Sequence, residues 1–205
     1  MFPIELWLTY TAACVLIVLA PGPDIVLSVA RGLSQGRRAA LLSSAGAGLG
    51  IMCHAIAATL LLLKASEVAF WLVKLVGVAY LVWLGVQALQ SRNLVTFEPL
   101  KQLSSGKVFL AGFLSDVLNP KIAFFVLAFI PQFTSLERGS VSVQMLVYGA
   151  WLATLAAIGL GVVGCFAAQL SNWLRQRPRA VAGLNVGAGL AFISTGLSAL
   201  ALKQR

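Results

Sequence analysis

Gly112-Phe113-Leu114-Ser115-Asp116-Val117-Leu118-Asn119-Pro120-Lys121-Ile122-Ala123-Phe124-Phe125 decides how this chain is read. Its flanks are apolar enough for a membrane helix, yet an acid, a proline and a lysine sit in the middle. Proline has no N–H, and its ring crowds the carbonyl four residues back, here that of Asp116, so the helix must bend or end. Asn followed by Pro also reads as an N-cap and a first helical residue, which restarts it. A broken backbone and ionisable side chains are both costly in lipid and are tolerated where they face protein or a wet cavity. Pro21-Gly22-Pro23-Asp24 repeats the pattern inside the first apolar run.

The rest of the composition agrees with a membrane setting. The chain has 205 residues, 60% hydrophobic and 10% charged, with a mean hydropathy of +0.92. Soluble domains carry about 25% charged residues, so a water-facing surface is excluded and an all-α integral membrane protein is expected. The net charge of +9 comes from short basic clusters between apolar runs. That distribution marks helix ends, not a nucleic-acid groove. Cys14, Cys53 and Cys165 lie singly inside apolar runs, and His54 is the only histidine. The expectation is small core cysteines, no disulfide framework, no metal site and no cofactor.

Six spans are expected, at about 6–30, 39–63, 68–89, 108–133, 143–170 and 181–202, each long enough for a hydrocarbon core of about 30 Å. The N-terminal run lacks a leading basic residue and continues past its break, so it reads as a retained first helix although Ala20 resembles a cleavage position. The second span is rich in small residues, with Gly46 and Gly50 in a G-x-x-x-G spacing that suits close helix packing. Lys74, in the third span, reads as a snorkelling side chain. Nine Lys and Arg fall in the first, third and fifth loops, including Arg31, Arg37 and Arg38, against four in the other loops and the tail. The positive-inside rule then puts those three loops in the cytoplasm and both termini outside.

Cut at about residue 103, the chain gives two halves, 1–103 and 104–205, within one membrane domain. Each has three spans and a proline break in the first. Three is odd, so the halves run in opposite senses, as a 3+3 inverted-topology repeat with broken first and fourth helices. The restarted half-helices should aim unpaired N–H groups and a positive dipole end at an anion such as a carboxylate, with Lys121 adding a full charge. Asp24 and Asp116 suit an ammonium group or a proton, and on this topology both lie on the cytoplasmic side of the midplane. His54 is a candidate proton relay, or else a buried hydrogen-bonded side chain.

Taken together, the residues resemble the LysE/RhtB family of amino-acid exporters over essentially the whole chain. The likeness rests on Pro21-Gly22-Pro23, on Gly32, Gly36-Arg37-Arg38 leading to Gly46, Gly50 and His54, and on Gly112 with Leu118-Asn119-Pro120-Lys121, Phe124-Phe125 and Pro131-Gln132-Phe133. It implies a secondary transporter, not an enzyme, that moves amino acids or close derivatives out across the bacterial inner membrane by proton antiport. It also implies that Pro21, Gly22, Pro23, Asn119, Pro120 and Lys121 are signature positions. The expected partners are an amino acid, protons and the lipid bilayer, with homo-oligomerisation left open. Export of another small solute or a metal cation is the alternative; two intramembrane acids would suit a cation, whereas Lys121 does not.

Overall fold

The computed structural model describes residues 3–64 and 100–167, with isolated helical positions between 72 and 86 and at 186. Every regular element among them is helical: α1 (Ile4–Leu19), α2 (Pro23–Lys64), α3 (Ser105–Val117), α4 (Pro120–Phe129) and α5 (Val141–Cys165). Two 3-10 turns, Ile130–Phe133 and Leu136–Arg138, join α4 to α5. The expected spans at 68–89 and 181–202, and Lys74 with them, lie outside the described residues apart from those isolated positions.

α2 is not one straight rod. Gly36 alone leaves helical geometry, at φ 78° and ψ −173°. The hydroxyls of Ser28 and Ser44 lie 3.4 Å apart although 16 residues separate them. A continuous helix would set them about 24 Å apart. The chain therefore folds back at Gly36 into two antiparallel limbs, 23–35 and 37–64. Sequence reading expects a loop over 31–38. The structure instead keeps helix almost throughout and reverses at Gly36, whose positive φ a glycine adopts without strain.

The other contacts fix the direction of each helix. Tyr10 Oη donates to the Tyr148 carbonyl at 2.9 Å, Val18 packs on Gly159, Ser28 Oγ donates to the Leu160 carbonyl at 2.7 Å, and Gly32 touches the Gly164 carbonyl. Both numbers rise together, so α1 and the first limb of α2 form one interrupted traverse running parallel to α5. By the same logic the second limb runs parallel to α3, with Gly46 against Phe109, Gly50 against Phe113 and His54 against Asp116. The two interrupted helices run antiparallel to each other. Gln35 meets Leu103 at one end, Lys121 meets Ile17 and Asp24 at the centre, and Phe129 and Phe133 meet Tyr10 at the other end.

These approaches are close because the contact residues are small. A Cβ on Gly46 would strike the Phe109 carbonyl, and one on Gly112 would strike the Ser43 carbonyl. The small-residue run of the second limb is thus a seam for backbone-on-backbone packing, which in lipid stands in for the missing hydrophobic drive. α5, at 25 residues, is long and apolar enough to cross a membrane; Pro23–Leu61 passes the same test of length and composition, but its reversal at Gly36 means that it does not cross as one helix. α3 and the α4 segment form a pair bent by 54° that passes the same test as one broken span.

Candidate functional site: the meeting of two helix breaks

Each break begins with an amide that proline cannot supply. Pro21 has no N–H for the Ile17 carbonyl, and Pro120 none for the Asp116 carbonyl. The Ile17 carbonyl is taken up by a side chain from another helix, and the Asp116 carbonyl, which accepts from the Asn119 amide at 2.9 Å, gains a second partner from another helix. Lys121 Nζ lies 3.4 Å from the Ile17 carbonyl oxygen and 3.3 Å from that of Ala20, where the backbone has turned extended. His54 Nε2 lies 3.2 Å from the Asp116 carbonyl oxygen. A carbonyl only accepts, so this ring nitrogen carries the hydrogen.

The centre of the site is an ion pair. Lys121 Nζ is 3.0 Å from both oxygens of Asp24, and the residues are 3% and 5% exposed. Gly22 lies against them: a Cβ there would come within 2.6 Å of Asp24 Oδ1 and 2.7 Å of Lys121 Nζ. Pro21 and Pro23 frame that glycine, and Pro23 opens α2. The pair ties the first break to the second across 97 residues of chain.

Asn119 caps α4 as expected. Its Oδ1 accepts from the Lys121 amide at 3.1 Å, and its own carbonyl accepts from Ile122 and Ala123 at 3.2 and 3.1 Å. One expectation is corrected here. The restarted helix does not present unpaired N–H groups, because the cap uses Asn119 to fill them. Lys121 is not a free cation either, since Asp24 and two carbonyls hold it. At the breaks, two polar side-chain groups do stand bare among the described residues. Asn119 Nδ2 is buried without a partner, and so are both carboxyl oxygens of Asp116, which is 0% exposed and pressed against Gly50.

Several neighbours were not singled out from the sequence as site residues. Ser28, Ser43, Ser44 and Ser115 gather beside Asp24 in a tight space closed by Leu160. Toward the N-terminal end of α1, Tyr10, Phe129, Phe133 and Tyr148 interlock with ring centroids 4.6 to 6.2 Å apart. At the opposite end Arg31 donates to the Lys101 carbonyl at 2.9 Å, and Gln35 both donates to and accepts from the Leu103 backbone.

Apolar helices that break at facing points, with buried charges joining the breaks, define a membrane transport protein built on discontinuous helices. The sequence profile of the LysE type translocator family matches residues 15–203. The chain belongs to that family. It is 34% identical over 198 residues to a membrane protein of Vibrio cholerae serotype O1, covering 95% of this chain and 96% of the relative. It is 27% identical over 196 residues to the homoserine/homoserine lactone efflux protein of Salmonella typhi, 94% of each. It is 24% identical over 197 residues to the leucine efflux protein of Klebsiella pneumoniae, 91% of each. No solved structure matches it significantly.

Proposed function

We propose that the chain exports amino acids or close derivatives across the bacterial inner membrane, with protons moving inward, by alternating access around the two breaks. The observation that carries this is the buried Lys121–Asp24 pair. An amino acid brings one carboxylate and one ammonium group, and an internal pair of the same charges is what such a ligand can replace without leaving either protein charge bare. Asn119 Nδ2 offers the carboxylate a further donor, and the Ile17 and Ala20 carbonyls offer the ammonium group acceptors. Asp24 and Asp116 are the groups suited to the ammonium or the proton. The names of the Salmonella and Klebsiella relatives support the substrate class and make homoserine and leucine the first probes.

The helix directions support the inverted repeat of 1–103 and 104–205. Each broken helix is parallel to the long helix of the other half, and the two broken helices are antiparallel. Since 37–64 and Ser105–Val117 run parallel, the chain must return between them, which a span at 68–89 would accomplish. The basic residues support both termini lying outside. Export of a metal cation is disfavoured, because Lys121 already neutralises Asp24.

Counterflow in proteoliposomes tests the reading. Purified protein loaded with unlabelled leucine or homoserine should accumulate the labelled form, and an imposed pH gradient should drive net movement. Folded protein that carries no amino acid of a full panel would overturn it.

A further inference from the structure

We infer that Asp116 is the proton-carrying residue of the transport cycle, and that its charge decides whether Lys121 stays with Asp24. The inference rests on the proton-antiport reading above. It begins from a buried acid with no use in the resting arrangement. Asp116 is fully buried, and neither carboxyl oxygen has a hydrogen-bond partner among the described residues. A bare carboxylate cannot be held there without a cation, whereas a protonated carboxyl can.

The groups facing it are few. From the second limb of α2, His54 spends its Nε2 hydrogen on the Asp116 backbone carbonyl, not on the carboxyl group. Gly50, on the same limb, packs on the side chain. From the first limb of α2 comes the negative charge of Asp24, and from α4 the positive charge of Lys121; both act on Asp116. Lys121 is the one cation among them, and Asp24 holds it now. Asp116 closes α3, Lys121 opens α4, and the Leu118–Asn119 joint bent by 54° lies between them. The separation of the two side chains is therefore set by the break itself.

The cycle follows. With Asp116 protonated, Lys121 belongs to Asp24 and the pair is closed. When the proton leaves for cytoplasmic water, the new carboxylate competes for Lys121, and Asp24 is released to receive the ammonium group of the amino acid. A proton returning from outside neutralises Asp116, sends Lys121 back to Asp24 and displaces the ligand. Only the carboxyl O–H bond breaks and reforms, with one proton entering for one amino acid leaving.

Binding to purified protein in weakly buffered detergent tests this, with leucine or homoserine as the probe, whichever the counterflow panel shows to be carried. Wild type should release about one proton per ligand bound, and its affinity should rise up to about tenfold per pH unit while Asp116 titrates. Asp116→Asn should bind weakly, with no pH dependence and no proton release. Asp116→Glu should retain both. Proton release by Asp116→Asn equal to wild type would overturn the assignment. If Asp116→Asn binds too weakly to saturate, Asp116→Glu decides: release supports the assignment, and its loss in monodisperse protein overturns it. A wild-type protein that binds no amino acid would instead defeat the export reading.

Discussion

Lys121 and Asp24 are each other's reason for being buried. The desolvation of either charge is offset by the other at 3.0 Å. Removing one partner of such a pair typically costs about 3–5 kcal/mol, whereas replacing both with apolar groups is often neutral or better. Lys121→Met and Asp24→Leu should therefore each lower the melting temperature in detergent, and the double variant should recover most of the loss. All three should fail in counterflow. A double variant that regains transport would make the pair a structural strut and nothing more. Both residues were legible in the sequence, because an acid and a lysine beside proline breaks stand out in apolar surroundings. Their contact was not, since nothing local reports a partner 97 residues away. The same holds for His54. Pro120 shows that the Asp116 carbonyl loses its helical donor; the Asn119 amide replaces it at 2.9 Å, and only the packing of α2 on α3 shows that His54 adds to it.

Elements were legible to the extent that they obey periodicity and breakers. The breaks at 20–22 and 118–119 fall where the prolines put them. The turn over 31–38 was misjudged in extent, because one left-handed glycine suffices to reverse the chain and the residues around it keep helical bonding. Whether a glycine serves packing depends on its neighbour, and α3 provides an internal comparison. Gly112 lies on the Ser43 backbone, while Gly106 has nothing within 4 Å. Backbone cannot yield as a flexible side chain can. Gly112→Ala should cost about 1–3 kcal/mol through overpacking, while Gly106→Ala should leave stability unchanged or slightly raised. Thermal unfolding of the two purified variants compares them directly; equal melting temperatures would remove the close-packed seam from the account.

At the scale of the molecule the two ends of the interrupted helices differ in kind, and the proposed alternating access would use that difference. At the α1 N-terminal end, rings of Tyr10, Phe129, Phe133 and Tyr148 interlock. At the other end, next to Arg37, Arg38 and Lys107, the closure is polar: Arg31 and Gln35 grip the backbone at Lys101 and Leu103. In the orientation proposed from the positive-inside rule, the polar clasp is the closure a cytoplasmic amino acid would meet. Three hydrogen bonds between side chains and backbone at a helix end can break and reform at small net cost, about 1 kcal/mol each, whereas an interlocked aromatic layer must shift as a body. The clasp should open in each cycle. Joining Gln35→Cys to Leu103→Cys with a short reducible bifunctional reagent, after replacing Cys14, Cys53 and Cys165, should stop counterflow and reductant should restore it. Each single-cysteine variant treated alike should keep its rate. A bridged protein that transports at the unbridged rate would show that this end does not gate the path, and the opening would then have to lie among the rings.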